Sequence, residues 1–405
     1  MFNAYEEVEI FLKEHDHREL YDNENIFRFK KRHPFAINKP IIHITGTNGK
    51  GSTLHYLEKI YRSSGYHVAS FVSPSHYKYS EMIRVDENSI DDDIFVSYFN
   101  KYVEEFEKYD LTTFEMITLI MFYYFSSLDV DVILLEVGMG GEIDATNIVD
   151  DTNLSIITSV SLEHTAYLGK TISEIAYSKS GIFRKRTPFL LGEGVNEEAK
   201  LAIAQRAKKL KCEEIYLSSY QVLDVSPLEH KLSYEGHQYT YLGPRYGYHN
   251  LIIALSAAKA LNDTLRVDFS KLEKHPFESL DRRMEILGHD PLIIVDGAHS
   301  EEAVKELSDS LRLFNLPIHI IFACLEDKNL PLLLENLEKI SHDIVLTTFD
   351  NKRARTENDY FIYLEDFPFT NDYVSLLKKY RELYKEDIIL FVGSIAFIDE
   401  VRKRL

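Results

Sequence analysis

The chain has 405 residues, of which 45% are hydrophobic and 27% are charged, so it can bury ordinary globular cores and is not predicted to be disordered. Its formal net charge is −19, which argues against general binding to nucleic acids or to anionic membrane surfaces. An anionic small-molecule substrate would therefore need a local basic site.

Cysteine content and the N-terminal segment indicate a reducing compartment. Cys212 and Cys324 are the two cysteines of the sequence, too few for a disulfide framework or a zinc knuckle. Residues 1–15 are acidic and amphipathic and lack the basic and apolar regions of a signal peptide. The most apolar stretch, Met116–Phe125, is too short to span a bilayer. We expect a cytoplasmic protein.

The first part of the chain alternates short apolar runs with helical patterns, which predicts a parallel α/β sheet. A helix is predicted over Ser52–Ser64, and Glu229–Leu242 is predicted to form a hairpin inserted late in this first domain. The helix Leu251–Leu261 follows. The strands are predicted at Ile41–Thr45, His67–Val72, Val130–Glu136, Leu154–Val160 and Pro188–Leu191.

The α/β pattern restarts after His275-Pro276, which predicts a second, smaller domain of the Rossmann-like type. We therefore divide the chain into an ATP-binding domain, 1–275, and a C-terminal domain, 276–405. The predicted strands are Leu292–Val295, Ile318–Phe322, Ile344–Thr348 and Ile388–Val392. The predicted helices are Glu301–Leu313, Leu330–Ile340 and Val374–Tyr384.

The strongest local signal is a glycine-rich turn, Thr45–Ser52, between the first strand and the first helix. Backbone N–H groups of such a turn, the helix N-terminus and a lysine together bind phosphate. The common pattern G-x-x-x-x-G-K-[ST] is not met strictly, because Ile44 and Gly51 occupy two of its positions. We predict ATP binding here, through Thr47, Asn48, Gly49, Lys50, Gly51 and Ser52.

A carboxylate, Glu136, ends an apolar strand and is followed by the glycines of Val137–Gly141. A carboxylate at the C-terminal end of a parallel strand faces the ligand crevice and suits Mg²⁺. A dinucleotide fingerprint G-x-G-x-x-G is excluded, because it would require glycine at Ile143. An unpaired glutamate in so apolar a strand would be costly, which favours a ligand role.

Eight segments together carry a family resemblance across residues 41–400. They are GTNGKGS (46–52), VSPSH (72–76), EVGMGG (136–141), DATN (144–147), SLEHT (161–165), IAYSKSGI (175–182), DRRME (281–285) and DGAHS (296–300). In this order they resemble the folylpolyglutamate synthase and dihydrofolate synthase family within the Mur ligase superfamily. Glycine at position 51, directly after Lys50, resembles the folate branch of the superfamily. Other Mur ligases more often have Thr or Ser at this position.

The resemblance implies roles for residues of the first domain. Ser73, Glu136 and His164 are the implied Mg²⁺ ligands. Lys179 matches a lysine that the family carries as N6-carboxylysine, and a carbamate needs a partly desolvated amine. Three positions depart from the family pattern: Ser75 before His76, Glu163 in place of aspartate, and Ser178 in place of glutamate.

Further roles concern the nucleotide. By resemblance Arg283 meets the ATP phosphates, Asp296 binds the ribose, and His299 lies near the transferred phosphoryl group. Asn250 matches an asparagine on the adenine side, although the usual His-Gln upstream is replaced by Tyr246-Gly247, and Arg282 replaces a glycine. Lys50, Lys179 and His299 are the implied catalytic residues, and the two domains are expected to close around ATP.

The implied activity is an ATP-dependent ligase, a folylpolyglutamate (tetrahydrofolate) synthase that adds L-glutamate to the γ-carboxylate of folate through an acyl phosphate. It would act as a monomer on small molecules: ATP, glutamate, and folate or pteroate. The sequence leaves open whether dihydropteroate is also used to make dihydrofolate.

Three alternatives stay open. One is a Mur-type ligase for a cell-wall precursor, opposed by Gly51, by DGAHS and by a first strand that already begins near Ile41. Another is a non-catalytic nucleotide-binding protein. A P-loop kinase or GTPase is opposed by the second domain.

Overall fold

In a computed structural model the chain is described over residues 1–15, 22–75 and 77–405. It divides into two compact units: unit 1 comprises Met1–Ser219 and His249–Lys274, and unit 2 comprises Tyr220–Tyr248 and His275–Leu405. Both are built on α/β sheets, which confirms the predicted fold class.

Unit 1 contains one eight-stranded sheet. Its strands are β1 (Ile41–Thr45), β2 (Val68–Phe71), β3 (Ile83–Val85), β4 (Asn88–Ser89), β5 (Val132–Glu136), β6 (Leu154–Ser159), β7 (Phe189–Gly194) and β8 (Glu214–Ile215). The order is β4-β3-β2-β5-β1-β6-β7-β8, and every pair from β2 to β8 is parallel. β1 therefore lies between β5 and β6, and the C-terminal ends of these three strands meet at one edge of the sheet.

The helices that accompany this sheet are α1 (Tyr5–Glu14), α2 (Glu24–Arg32), α3 (Lys50–Ser63), α4 (Asp92–Lys108), α5 (Thr113–Ser126), α6 (Ile172–Lys179), α7 (Glu197–Leu210), α8 (Gly247–Ala260, in unit 1 from His249) and α9 (Phe269–Leu272). Short 3₁₀ helices cover Tyr79–Met82, Ala145–Ile148 and Ser180–Ile182. Within the described residues, no helix combines the length and apolar character needed to cross a bilayer.

Unit 2 contains two sheets. The smaller is β12-β11-β10-β9, formed by β9 (Tyr220–Val225), β10 (Glu229–Tyr234), β11 (His237–Leu242) and β12 (Phe277–Glu278). The larger has the order β13-β14-β18-β15-β16-β17 and is parallel except for β13. Its strands are β13 (Glu285–His289), β14 (Leu292–Asp296), β15 (Ile318–Phe322), β16 (Ile344–Thr347), β17 (Phe369–Thr370) and β18 (Ile388–Val392).

The helices of unit 2 are α10 (Glu301–Leu311), α11 (Leu330–Glu338), α12 (Tyr373–Leu383) and α13 (Ile395–Arg404), with 3₁₀ helices at Arg312–Phe314 and Glu357–Tyr363. Apolar clusters cover both faces of the larger sheet. Successive side chains of β14, β15 and β18 point alternately to one face and the other, and both sets are buried.

The predicted hairpin forms as β10 and β11, with its turn at Glu235-Gly236, and it belongs to the compact unit 2. β11 pairs with β12, which lies after the predicted boundary, and the pairing joins Tyr241 to Phe277. This contact between distant parts of the sequence groups Tyr220–Tyr248 with unit 2. The division into domains 1–275 and 276–405 itself stays a prediction.

The helix after the glycine-rich turn also begins earlier than predicted, at Lys50 and not at Ser52. Gly49 is its N-cap residue and has a φ of +85°, a conformation that residues with a Cβ adopt rarely. Lys50 and Gly51 therefore belong to the first turn of α3, where backbone N–H groups have no intrahelical acceptor.

A buried carboxyl group, Glu58, lies on α3 and is 2% exposed. It accepts a hydrogen bond from the Glu87 backbone N–H at 2.9 Å, and the Ser70 hydroxyl lies 3.4 Å away. Burial raises its pKa to about 7, although Arg84, Arg62 and the Ser70 hydroxyl oppose this rise. The folded protein must therefore hold a proton that the unfolded chain releases in weak acid.

We expect this group to make stability fall as pH rises. A carboxyl pKa raised by folding gives stability that is complete below the unfolded value, 4.5, and is lost as pH rises through about 7. The loss is on the order of 3 kcal/mol between about pH 4.5 and about pH 8. Glu58→Gln keeps an acceptor for Glu87 and should gain stability over the wild type with rising pH. Thermal unfolding of both proteins across this range measures the difference, and parallel curves would contradict the assignment.

Candidate active site

The glycine-rich turn is held by the end of the neighbouring strand β6. The Thr47 N–H donates to the Ser159 carbonyl at 3.0 Å, and the Asn48 N–H donates to Ser159 Oγ at 2.8 Å. The Thr158 hydroxyl donates to the Asn48 carbonyl at 2.5 Å. The N–H groups left for a ligand are thus those of the first turn of α3, and no side chain caps that end of the helix.

Lys50, the first residue of α3, folds back over the turn. Its Nζ donates to the Gly46 carbonyl at 2.8 Å and to the Thr47 carbonyl at 3.3 Å. The ammonium group is therefore fixed over the turn, next to the first turn of α3. This is a compact positive site of the kind that binds a phosphate chain.

Asn250, on α8, lies against this turn. A Cβ atom placed on Gly49 would come within 2.1 Å of Asn250 Oδ1, so glycine is required for close approach as well as for its φ. The structure thus brings Asn250 to the phosphate turn across 200 residues of sequence.

Glu136 lies at the C-terminal end of β5, directly beside the start of α3. Its side chain is 4% exposed, and Oε2 accepts a hydrogen bond from the Ser73 backbone N–H at 3.2 Å. A Cβ on Gly51 would lie 3.4 Å from the same oxygen. Ser73, Glu136 and the first turn of α3 therefore lie together, and their use as a metal and phosphate site stays a prediction. His76, at the end of the VSPSH segment, lies outside the described residues.

Hard oxygen atoms suit Mg²⁺, which typically binds one or two carboxylates together with phosphate oxygens and water. Glu136 and the Ser73 hydroxyl are donors of that type, and their place beside the phosphate turn fits the ion. Among residues 1–15, 22–75 and 77–405, no group of three His, Cys, Asp or Glu side chains forms a metal cluster.

A second charged group joins the loop after β6 to the end of α6. The Thr171–Glu174 capping box starts α6, and Lys179 is its last residue. Lys179 is 0% exposed, and its Nζ lies 2.5 Å from Glu163 Oε1. The longer side chain at position 163, a departure from the family pattern, thus forms a buried ion pair.

The charges around this pair act on both partners. Burial disfavours the ammonium form of Lys179 and outweighs the attraction of Glu163; the repulsion of Lys50 adds to it, and the pKa of Lys179 falls to about 8. Burial by itself would raise the pKa of Glu163, but the positive charges of Lys179 and Lys50 outweigh burial and lower this pKa to about 2. His164 is exposed in the same loop, with a φ of +45°, and its charge also stabilises ionised Glu163.

In unit 2, Asp296 ends β14 and is 1% exposed. Its Oδ1 accepts from the Ala298 N–H at 2.8 Å, and its Oδ2 accepts from the Met284 N–H at 2.8 Å and from the Tyr246 hydroxyl at 2.5 Å. Burial raises the pKa of Asp296, against the influence of Arg283 and these donors. His299 Nδ1 lies 2.8 Å from the Gly297 carbonyl.

The two arginines of the DRRME segment differ in their surroundings. Arg282 is buried and forms an ion pair with Asp399 of α13, whereas Arg283 is partly exposed. Arg283 is near enough to Asp296 to lower the pKa of that carboxyl. The structure thus brings Arg283 and Asp296 together, whereas Arg282 has a structural role in its ion pair with Asp399.

Comparison with known proteins agrees with this geometry. Residues 44–258 match the family model of the Mur ligase middle domain, and residues 282–395 match that of the Mur ligase glutamate ligase domain. The dihydrofolate synthase/folylpolyglutamate synthase of Bacillus subtilis (strain 168) is 31% identical over 394 residues, which are 90% of this chain and 90% of that protein. The chain belongs to the dihydrofolate synthase/folylpolyglutamate synthase family of Mur ligases.

Other members of the family support this assignment. The folylpolyglutamate synthase of Lacticaseibacillus casei is 29% identical over 401 residues, covering 90% of this chain and 89% of its own. The structure of E. coli FolC in complex with DHPP and ADP has a TM-score of 0.85 at 25% identity, covering 99% and 97% of the two chains. A bifunctional folylpolyglutamate synthase/dihydrofolate synthase with Mn, AMPPNP and L-glutamate bound shares the fold, with a TM-score of 0.84 at 24% identity.

Two features of the site were missed from the sequence. Thr158 and Ser159 fasten the phosphate turn, and Tyr246 binds Asp296. Thr158 and Ser159 could have been found from the sequence, because these hydroxyl residues end the strand that precedes SLEHT. That strand, β6, pairs with β1, which leads into the phosphate turn. The role of Tyr246 could not be predicted, because nothing in the sequence indicates that a tyrosine at the position of a family histidine contacts Asp296.

Proposed function

We propose that this protein is an ATP-dependent ligase that couples L-glutamate to the γ-carboxylate of a folate, tetrahydrofolate being the expected substrate. One observation carries the proposal. At the C-terminal ends of β1, β5 and β6 a phosphate turn, Glu136 and the Glu163–Lys179 pair are gathered in unit 1, in a chain whose relatives are dihydrofolate synthase/folylpolyglutamate synthases.

Amide formation from a carboxylate needs activation, because hydroxide is a poor leaving group. The γ-carboxylate oxygen attacks the γ-phosphorus of ATP and ADP leaves, giving an acyl phosphate. The glutamate amine then attacks the acyl carbon, phosphate leaves with the former carboxylate oxygen, and the nitrogen loses a proton. The protein must position the reactants and neutralise developing charge.

Unit 1 supplies the phosphate site in this proposal. Lys50 and the N–H groups of the first turn of α3 bind the phosphates, with Thr47, Asn48, Gly49, Gly51 and Ser52 shaping the turn, and Asn250 lies on the adenine side. Ser73, Glu136 and His164 would hold Mg²⁺. The ion supplies Lewis-acid stabilisation of phosphate oxygens when bound.

Lys179 is proposed to act as N6-carboxylysine. The ammonium group first loses one proton, and the neutral amine attacks CO₂ to form a C–N bond. A second proton is then released from the nitrogen, so the cation becomes an anion. Complete burial and a pKa lowered to about 8 support this chemistry, because both raise the neutral fraction. The carboxylate so formed would serve as an additional oxygen acceptor in the site.

Unit 2 supplies Arg283 for the phosphates, Asp296 for the nucleotide and His299 near the transferred phosphoryl group. Partial exposure of Arg283 and its closeness to Asp296 support these roles. We propose that the enzyme works as a monomer, since one chain provides every residue named.

A direct assay tests the function and separates it from its alternatives. Purified protein receives ATP, Mg²⁺ and L-glutamate with tetrahydrofolate, dihydropteroate or a cell-wall nucleotide precursor, each in a separate reaction. Phosphate release with tetrahydrofolate, together with a product heavier by one glutamate residue, is the expected result. Release with dihydropteroate adds dihydrofolate synthase activity. Turnover with the cell-wall precursor alone would overturn the folate assignment, and no release with any of them would leave a nucleotide-binding protein.

His164→Ala is expected to raise the Mg²⁺ concentration needed for half-maximal activity, or to remove activity, because a proposed ligand is lost. Exposed His342→Ala in unit 2 is the matched control. Phosphate release is measured against Mg²⁺ concentration for the three proteins. A magnesium dependence identical to that of the wild type would count against His164 as a ligand.

A further inference from the structure

The carboxylate of Asp296 is buried and hydrogen-bonded within unit 2 through both of its oxygens. Its two oxygens accept three hydrogen bonds, from two backbone N–H groups and one tyrosine hydroxyl, and the residue is 1% exposed. A side chain that binds a ribose directly must present an acceptor to that ribose. Asp296 instead uses its oxygens to hold the backbone of Met284 and Ala298 in place.

The two backbone donors flank the residues proposed to act on the nucleotide. Met284 follows Arg283 directly, and Ala298 precedes His299. One carboxylate thereby fixes the main chain beside both of these side chains.

The turn that carries Arg283 is strained and needs such support. Arg282 has a φ of +65° and Met284 a φ of +45°, conformations that cost on the order of 1 kcal/mol or more for residues with a Cβ. The Arg282–Asp399 ion pair secures one side of the turn, and Asp296 holds the other through Met284. A strained turn of this kind is stable only when contacts with neighbouring residues hold its backbone in place.

Tyr246 is the one side-chain donor among the three described partners of Asp296. Its hydroxyl lies 2.5 Å from Oδ2, the oxygen that also accepts from Met284. Its own place is defined by the next residue: a Cβ on Gly247 would lie 1.7 Å from the Tyr241 hydroxyl, so this segment packs closely on β11. Tyr246 and Gly247 stand where relatives are expected to have His-Gln.

We propose that Tyr246 is a positioning residue for nucleotide binding: through Asp296 it holds the turn that presents Arg283 to the phosphates. Asp296 then acts by positioning and not by contact with the ribose. This inference rests on the proposed function for the role of Arg283.

The test measures binding, so that it does not depend on ligation. Isothermal titration gives the affinities for Mg²⁺·ATP and for Mg²⁺·2′-deoxy-ATP of the full-length wild type and of Tyr246→Phe, Asp296→Asn, Arg283→Ala and the Tyr246→Phe/Arg283→Ala double variant. Tyr360→Phe is the matched control, because it removes the hydroxyl of another buried tyrosine of unit 2. Far-UV circular dichroism checks that each variant is folded.

Tyr246→Phe is expected to weaken both nucleotides by the same factor, about tenfold, since a hydrogen bond to a carboxylate is lost. In the Arg283→Ala background the same change should cost less than about twofold, because residues that act through one another are not additive. Asp296→Asn should weaken binding while leaving the ratio between ATP and 2′-deoxy-ATP unchanged, and Tyr360→Phe should bind as the wild type does.

Three results would overturn the inference: Tyr246→Phe binding like the control, its full effect persisting without Arg283, or Asp296→Asn abolishing the preference for ATP over 2′-deoxy-ATP. A wild type that does not bind ATP would also overturn it. A wild type that binds ATP but makes no glutamate adduct would instead refute the ligase proposal, and the binding comparison would still decide the role of Tyr246.

Discussion

Replacing Lys50 with alanine is expected to lower the rate of ATP-dependent ligation by on the order of 10³-fold or more, close to complete loss. The ammonium group lies on the Gly46 and Thr47 carbonyls at the start of α3, and in the proposed mechanism it would offset charge that builds up during phosphoryl transfer. The neutral variant keeps the turn, because Thr47 and Asn48 are fastened by Ser159. The measurement is the rate of phosphate release at saturating tetrahydrofolate and glutamate.

Lys59→Ala is the matched control for this prediction, since it removes a lysine further along α3, away from the turn. The control should retain wild-type activity within about twofold, because Lys59 is half-buried on α3 more than two helical turns beyond Lys50. Turnover by Lys50→Ala at the wild-type rate, with both variants folded, would refute the phosphate-turn assignment.

The second large effect is expected at Lys179. Lys179→Ala removes a completely buried lysine and leaves Glu163 without its ion-pair partner, and we expect ligation to fall by on the order of 10²-fold. If the working group is the carbamate, the cavity should accept a small carboxylate in its place. Acetate or propionate added at millimolar concentration should then restore part of the activity.

Methylammonium is the opposite probe, because it replaces the unmodified cation beside Glu163. Rescue by methylammonium and not by acetate would show that Lys179 acts as an ammonium group, and the carbamate proposal would fail. Exposed Lys185→Ala controls for the loss of a lysine in the same part of unit 1 and should respond to neither additive.

Much of the fold could be predicted from the sequence because local patterns determine it. The bounds of β1, β15 and β18 agree with the predicted runs, each a short β-branched segment that is buried on both sides. The hairpin was predicted correctly as a local element, but its grouping with unit 2 was not predicted. Its placement depends on the pairing of β11 with β12, which no periodicity reveals.

The candidate site divides in the same way. Gly51, Ser73 and Glu136 lie close together, because the ends of neighbouring parallel strands share an edge, and the motifs at those ends could be found in the sequence. The Glu163–Lys179 pair could not be predicted, since 16 residues and a loop separate its members. The same holds for Tyr246 and Asp296, which come from separate segments and meet through tertiary packing alone.

If ATP activates the substrate carboxylate by phosphorylation, one carboxylate oxygen must end up in the released phosphate. Tetrahydrofolate labelled with oxygen-18 in its γ-carboxylate is incubated with the enzyme, ATP, Mg²⁺ and L-glutamate, and the released phosphate is analysed by mass spectrometry. Each released phosphate should carry one labelled oxygen, because the bridging oxygen of the acyl phosphate comes from the carboxylate and leaves with the phosphate when the amine attacks. Product formation accompanied by unlabelled phosphate would contradict activation by phosphorylation.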